Sequence, residues 1–566
     1  MNFRAITWTL IYLLSCLVFV GVSAPGFAQS AGDAAAEEIN RILNLEEERR
    51  QQELRELRER QRTHTVIPSK KPPELELPIA DQQTCFDIAE IVVKGAFLLD
   101  PQEVERVKTV HLGKCLGIVE INQIVSALTS LYIDKGYITS RAYIPPQNLR
   151  TGTLTIEVVE GFVEAIRVEG GPQRLAATAW PGVVGAPLNL RRIEQGLDQI
   201  NRLAASQARV DFLPGKKVGG TVIVVNYVKD SLISATLGRN NSGQSATGEQ
   251  QIAGSLEVHS LFGVNDHLYL TLQADTKDDY QGMKSESAGV NYTVPYGYWT
   301  FSLGYNQFTY MNTIQGSNTV FTSEGTSQSE RFNIRRMLFR DQNQKISLSG
   351  LVKHQATDNF IEDVKLDTSS VDYMAAELAL EYEHYFSGGK TLIGSMGYTQ
   401  GLSGNGSEAQ KSIYTEDFQK INMDVTYSDS VQWLAGTWRW STGVHGQHSN
   451  GVLYSAESFS IGSQYTVRGF KEDGLSDSGG AYWRNELSTT YFPVEHNPRF
   501  YVTPYMAADA GVIDSGDSLS GWAAGLRTGG KFFRAEVAYS RPISAPETID
   551  RSASTINFSF MLFASW

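Results

Sequence analysis

From about Leu232 to its end the chain alternates. Segments of about ten residues place an apolar side chain at every second position, and Gly, Asn, Asp and Ser separate them. Ile346, Leu348, Gly350 and Val352 share one face, with Ser347, Ser349 and Lys353 on the other. Leu434, Trp438 and Trp440 oppose Thr437, Arg439 and Ser441, and Trp483, Leu487 and Tyr491 oppose Arg484, Glu486 and Ser488. Phe533, Ala535, Val537 and Tyr539 oppose Arg534, Glu536 and Ser540. A period of two marks strands with unlike faces. In water, one apolar face would pack into the core of a sandwich. Sustained over roughly 330 residues, with aromatics near the strand ends, the pattern instead fits a transmembrane β-barrel. About sixteen candidate strands can be counted, an even number as bacterial barrels require. The last is the clearest, with Ile556, Phe558, Phe560, Leu562, Ala564 and Trp566 on one face and Thr555, Asn557, Ser559 and Ser565 on the other.

The first part of the chain follows other periods. Residues 31–63 read as a very polar helix in which Glu and Arg recur at i,i+3 and i,i+4, with a thin apolar stripe of Ile39, Ile42, Leu43, Leu54 and Leu57. At ~1.5 Å per residue it would be about 50 Å long, more than the ~30 Å hydrocarbon core of a membrane. Taken alone, such a helix suits a free helix or a weak coiled coil. Pro68, Pro72, Pro73 and Pro78 keep the following linker, residues 64–84, extended. Residues 85–161 then read as a strand (Ile88–Val93), two helices (Pro101–Val110 and Ile118–Asp134) and two strands (Tyr137–Ile144 and Thr153–Val159). Residues 162–228 repeat the order with strand Val163–Val168, helix Leu188–Leu203 and strands Val210–Leu213 and Thr221–Tyr227, an internal repeat of pattern. The barrel is expected over 229–566.

Composition narrows the compartment. The 566 residues carry 20% charged side chains, 10% aromatics and 51 glycines, with a formal charge of −13 that argues against nucleic acid as the main partner. Residues 1–28 read as a secretory signal peptide, with Arg4 as the positive region, Ile6 to Val22 as the apolar run and Gly26-Phe27-Ala28 as the cleavage site. A lipoprotein site at Leu14-Ser15-Cys16 would leave a mature chain starting Leu17-Val18-Phe19-Val20, a poor hydrophilic tether. After cleavage only Cys85 and Cys115 remain, and two cysteines in an exported chain suggest one disulfide.

Motifs for catalysis are lacking. There is no H-E-x-x-H and no G-x-S-x-G. Gly389-Lys390-Thr391 ends like a phosphate-binding loop, but His384 stands where its first glycine is required. His445 and His448 have H-x-x-H spacing in what reads as a Gly/Ser/Asn-rich loop with no third ligand. No catalytic, cofactor or metal site is expected, and the chain does not read as an enzyme.

Two stretches remain unexplained by composition. The first runs Lys135-Gly136-Tyr137-Ile138-Thr139-Ser140-Arg141-Ala142-Tyr143-Ile144-Pro145-Pro146-Gln147, with Gly152-Thr153-Leu154 and Val158-Val159-Glu160-Gly161 after it. The second, Val467-Arg468-Gly469-Phe470, lies in a polar segment from about Gly446 to Gly480 and would otherwise pass for an exposed turn. The first resembles a POTRA domain of two-partner secretion outer-membrane transporters (the TpsB family, haemolysin secretion/activation proteins), and the second resembles the loop signature of their superfamily. Tyr505 to Gly511 is similar to the family's wall-strand motif, with Asp509 and Gly511 at its end, although Ala507 and Ala508 are smaller than the family's usual residues.

The resemblance implies a mainly β protein with two periplasmic α+β POTRA domains, a sixteen-stranded antiparallel transmembrane barrel and an N-terminal plug helix over 29–63. It implies that Arg468 at the loop tip meets Asp509 inside the barrel, because a charge in a lumen needs a partner. It implies that Phe558, Phe560 and Trp566 form the signal read by the barrel-assembly machinery. The implied partner is one large unfolded exoprotein of the haemolysin or adhesin β-helix type, bound by the POTRA edge strands and passed across the outer membrane among its lipids. The other readings are a passive porin or receptor, which leaves the POTRA repeats unexplained, and a barrel-assembly factor, which usually carries more of them.

Overall fold

The computed structural model describes residues 31–68, 85–276, 282–315, 320–404, 408–433, 436–493 and 500–566. The expected signal peptide, residues 1–28, and residues 69–84 of the expected linker lie outside them.

Sixteen antiparallel strands, from Ile233–Asn240 to Thr555–Ser565, close into a barrel, with the two-residue strand Val364–Lys365 extending one hairpin. Closure joins the last strand to the first, in a register running from Ser559↔Asn240 to Ser565↔Ser234. Trp566 continues the seam: its N–H donates to the Ile233 carbonyl, and its own carbonyl accepts from the N–H groups of Leu232 and Ile233. A closed ladder leaves no unpaired edge, which hydrocarbon requires. The alternation in sequence decides which face is which. Leu348 and Val352 look outward, while Ser347, Ser349 and Lys353 are buried toward the lumen. The apolar face is therefore the exposed one, with Leu272 66%, Leu378 57% and Val537 55% exposed. This inverts a water-soluble sheet and matches one facing lipid. No helix of the described residues is long and apolar enough to cross a membrane.

Before the barrel stand two α+β units of like topology. In the first, Glu90–Lys94 runs parallel to Thr153–Val159, which pairs antiparallel with Arg141–Tyr143. In the second, Phe162–Glu169 runs parallel to Gly220–Lys229, which pairs antiparallel with Ser206–Pro214. Each sheet packs on two helices, Pro101–Thr109 and Ile118–Asp134 in the first unit, Arg174–Ala179 and Leu190–Asn201 in the second. The cores are separate, with Ile124, Leu128, Tyr132 and Ile156 in one and Trp180, Ile193, Leu197 and Ile223 in the other.

Several expected bounds change. The strand read over Tyr137–Ile144 shrinks to Arg141–Tyr143, because Tyr137 to Ser140 turn, with the Ser140 N–H donating to the Tyr137 carbonyl. The short helix Arg174–Ala179 was not placed from sequence. The helix read from Leu188 starts at Leu190, where the Asn189 side chain accepts from the Arg191 N–H as an N-cap. Cys85 and Cys115 are disulfide-bonded, with Cα atoms 5.3 Å apart. They join the paired short strands Cys85–Asp87 and Cys115–Gly117, the second of which leads directly into the helix Ile118–Asp134. Closing a loop of 30 residues contributes roughly 3–4 kcal/mol on the chain-entropy account.

The remaining helix, α1 (Ala31–Arg60), runs through the barrel lumen. Its Asn40 and Asn44 meet the long loop of residues 450–479, and its Arg60 meets Glu257 at the opposite end.

Candidate functional site

The site is the filled lumen, and α1 supplies the first half of it. A strongly charged helix suits a lumen whose wall is lined by hydroxyls, amides and ions. Glu46 accepts from Ser287 Oγ at 3.1 Å, and Arg331 donates to Glu47 Oε1 at 3.1 Å. Tyr269 donates to Glu53 Oε1 at 2.9 Å, and Arg55 donates to Tyr482 Oη at 3.3 Å. The thin apolar stripe is used near the helix's first turns, where Ile39, Ile42 and Leu43 pack on Phe308 and Tyr310 of the wall. Beyond Arg60 the chain crosses to the second α+β unit. The Thr65 N–H donates to Asp198 Oδ1 at 2.8 Å and the Ile67 N–H to Glu194 Oε1 at 2.9 Å. Arg340 of the barrel donates to Asp198 Oδ2 at 2.9 Å and to the Thr65 carbonyl at 3.1 Å. Burial pushes the Glu194 carboxyl above its ordinary value, against the opposing pull of the Ile67 N–H and Arg191. The lumen helix, the second unit and the barrel rim are thus joined at one buried ionic cluster, and residues 64–67 of the expected linker belong to it.

The loop supplies the second half. The strand before it continues to Ser449, so both His445 and His448 lie on that strand and not in a loop. His445 pairs with Asp424 and stacks on Tyr482, and no third ligand joins it and His448 in a metal-holding group among the described residues. The loop folds back through a small hairpin, Phe459–Ile461 with Leu475–Asp477, which brings residues 463–470 against the wall. There Arg468 Nε donates to Asp509 Oδ2 at 2.6 Å and Nη2 to Asp509 Oδ1 at 2.7 Å, a bidentate pair, and the Arg468 N–H adds a third bond at 3.1 Å. Nη1 reaches Glu486 Oε2 at 3.1 Å, and Nη2 also reaches the Asn485 carbonyl at 3.1 Å. Arg468 is 7% exposed and Asp509 4%. Val467 and Phe470 are buried with Ile461, Tyr482, Ile513 and Leu519.

Backbone geometry fixes this approach. Gly469 has φ +110°, a region that favours glycine, and a Cβ on it would lie 2.6 Å from the Arg541 carbonyl carbon. A Cβ on Gly521 would lie 1.9 Å from the Arg468 carbonyl oxygen. Gly511 faces Val467, whose Cγ2 would stand 3.0 Å from an added Cβ. Of the small residues beside Asp509, Ala507 is buried on the lumen side and Ala508 faces out.

Sequence reading named Arg468, Asp509 and Gly511 but missed Glu486, Gly521 and Glu457. Glu486 bridges Arg468 and Arg527. Alternation did place Glu486 on the lumen face, but it gave no means of choosing among lumen carboxylates. Glu457, in the loop, is buried among Lys353, Lys420 and Tyr373, three residues on three other strands. Nothing local in the sequence marks that convergence. Lys390 of the failed phosphate-loop match pairs with Asp429 at 3.1 Å in an exposed turn. Phe558 and Phe560 lie on the closing strand and Trp566 directly follows it, with Phe560 44% and Trp566 61% exposed.

The family model described as haemolysin secretion/activation protein ShlB/FhaC/HecB matches residues 219–528. A ShlB-type POTRA domain matches residues 86–161 and a second POTRA domain 162–214. The chain is 32% identical over 536 residues to the outer membrane transporter CdiB of Escherichia coli O6:K15:H31, covering 91% of this chain and 87% of that protein. It is 30% identical over 512 residues to the hemolysin transporter protein ShlB of Serratia marcescens, covering 89% and 87%. Among solved structures, CdiB from Escherichia coli superposes with a TM-score of 0.80 at 28% identity, over 96% of this chain and 100% of that one.

Proposed function

The chain belongs to the haemolysin secretion/activation protein family ShlB/FhaC/HecB, and we propose that its two POTRA units receive an extended exoprotein in the periplasm and pass it through the lumen once α1 has withdrawn. It is an outer-membrane transporter of two-partner secretion, with its POTRA domains in the periplasm. Its partner is a secreted exoprotein, which we take to be large and of the haemolysin or adhesin β-helix type. The edge strands of the POTRA sheets, Arg141–Tyr143 and Ser206–Pro214, offer main-chain groups to an extended segment by β-augmentation, which tolerates sequence variation. Phe558, Phe560 and Trp566 present the closing strand to the barrel-assembly machinery, and the exposed apolar face meets outer-membrane lipid. Arg468 with Asp509 holds the loop tip to the wall during transport.

The observation that supports this reading best is the joint of residues 63–67, which ties α1 to POTRA 2 and to the barrel rim through Asp198 and Arg340. A passive porin has no use for such a joint. Co-expression with a candidate large exported protein tests the reading. That protein should reach the medium only when this chain is present, and its retention in the periplasm would reject transport. Deleting residues 85–161 should abolish export while the barrel still inserts, because the lipid-facing pattern begins at Ile233. Export that persists without POTRA 1 would favour a porin-like channel.

A further inference from the structure

One hairpin at the periplasmic mouth gathers three metal-ligating side chains. Glu257 and His259 stand two residues apart on the strand Gln251–His259, so alternation turns both to the lumen. Antiparallel register sets His267 directly opposite His259 across the turn of residues 260–266. Ligating atoms of Glu257, His259 and His267 lie within 4.8 Å of one another. His259 is 2% and His267 1% exposed. His267 Nε2 is 3.0 Å from Glu257 Oε2, and His259 Nε2 is 3.2 Å from Ser234 Oγ. The buried Nδ1 of His259 has no hydrogen-bond partner. Buried polar atoms ordinarily have one, so an orphan beside two further ligands points to something that completes it. Two imidazoles and a carboxylate, with room for water, form the donor set of an open zinc site. Calcium and magnesium prefer oxygen alone. A cavity of about 300 Å3 borders all three residues and gives that room.

We propose that Glu257, His259 and His267 bind a divalent transition-metal ion of the zinc class, and that the ion competes with Arg60 of α1 for Glu257. Arg60 Nη1 donates to Glu257 Oε1 at 3.1 Å. Gln61 Nε2 lies 3.0 Å from His267 Nδ1. With the Gln61 amide donating to Nδ1, the ring proton sits on Nε2, the nitrogen that faces Glu257. An ion on Nε2 requires that nitrogen to be bare. The proton then moves to Nδ1, and the Gln61 amide must turn to offer its oxygen. A dication beside the Arg60 guanidinium is also repelled by it. The seated end of α1 therefore keeps the proton of His267 on Nε2 and Glu257 paired with Arg60, and metal binding draws on the state in which Arg60 has left Glu257. Reciprocity makes the ion weaken the hold of the helix at the mouth by the same factor.

The test is zinc titration of the full-length protein in detergent micelles by calorimetry, with cobalt absorption as a second readout. One zinc ion per chain is expected, and cobalt should show the visible bands of a four-coordinate site. His259→Gln and His267→Gln should each weaken binding by at least about tenfold. Arg60→Gln keeps all three ligands and should tighten it by about tenfold. Absence of zinc binding overturns the site, as does unchanged affinity in the His259→Gln/His267→Gln double variant, which would place the ion elsewhere. Wild-type affinity in Arg60→Gln overturns the competition.

Discussion

Helix α1 and the tip of the 450–479 loop both occupy the lumen and both carry arginines, and their arginines are satisfied in different ways. In α1, Arg41, Arg49 and Arg50 are paired within the helix, while Arg55 and Arg60 reach Asp424 and Glu257 of the wall. Arg41 meets Glu38 at 3.0 Å, Arg49 meets Glu46 at 2.7 Å and Glu53 at 3.3 Å, and Arg50 meets Glu47. Gln51 and Gln52 bond Glu47 and Glu56 in the same i,i+4 manner. The intrahelical pairs move with the helix on withdrawal into water, although Arg331, Asp424 and Glu257 of the wall each lose an α1 partner. Arg468 has no such partner nearby in sequence. Its acceptors, Asp509, Glu486 and the Asn485 carbonyl, all belong to wall strands. Lifting the tip leaves Asp509, almost fully buried, without its cation. Once the helix is in water its self-paired ions are each worth about 0.3–0.5 kcal/mol, while stranding one member of a buried pair costs about 3–5 kcal/mol. The contrast sets a segment that carries part of its own pairing beside one whose partners all lie on the wall.

The sharpest way to break this comparison is Arg468→Ala. Secretion should fall steeply while the barrel still inserts, because the outer strands do not depend on the tip. Asp509→Ala should give a similar loss, and the double variant should be less than additive, since the second change removes the charge the first had stranded. Arg468→Lys should rescue only in part, as an ammonium cannot span both carboxylate oxygens. Secretion assays with outer-membrane fractionation check all four. Full secretion by Arg468→Ala would show that transport does not depend on the hold of the tip on the wall.

The complementary test removes α1. Deletion of residues 31–63 should raise single-channel conductance and leave secretion largely intact. Unchanged conductance would mean that the helix does not obstruct the pore, and the comparison between a departing and a staying segment would fail.

Much of this architecture was legible as period. Alternation after Leu232 gave the barrel, and because it also named the lumen face, it placed Arg484 and Glu486 on one side of the wall. Position along a strand is local information. Which lumen carboxylate meets the loop is not, because it depends on how far the loop folds back, and only the resemblance of Val467–Phe470 and Asp509–Gly511 to known signatures suggested that pairing. Gly521 stayed hidden for the same reason: its need for hydrogen as a side chain arises from the Arg468 carbonyl, more than fifty residues earlier. The Glu257, His259 and His267 group was within reach, since a hairpin with a seven-residue turn sets His267 opposite His259 once the turn is drawn. Ile67 and Thr65 were read as extended linker because their partners, Glu194 and Asp198, lie on a helix of another domain.

The smallest effect, and the one that sharpens the comparison most, is expected from Glu486→Gln. Glu486 stands between two guanidiniums, with Arg468 Nη1 at 3.1 Å from Oε2 and Arg527 Nη2 at 3.0 Å from the same oxygen. Neither arginine depends on it alone. Arg468 keeps its bidentate pair with Asp509, and Arg527 keeps Glu536, at 3.2 Å, and the face of the Tyr505 ring, with its centroid 3.9 Å away. The substituted amide still offers one oxygen acceptor for the Oε2 contacts, but its nitrogen cannot accept from Arg527 Nη1 as Oε1 does, so the loss is one charge-assisted bond, roughly 1.5–3 kcal/mol and below that of stranding Asp509. Secretion by Glu486→Gln should therefore fall only slightly, and its coupling to Arg468→Ala should be well below the coupling of Asp509→Ala to Arg468→Ala. If Glu486→Gln proved as damaging as Asp509→Ala, the tip would be held by a distributed ion network like the one around α1. The distinction between the two lumen segments would then lie in number of contacts and not in where their partners reside.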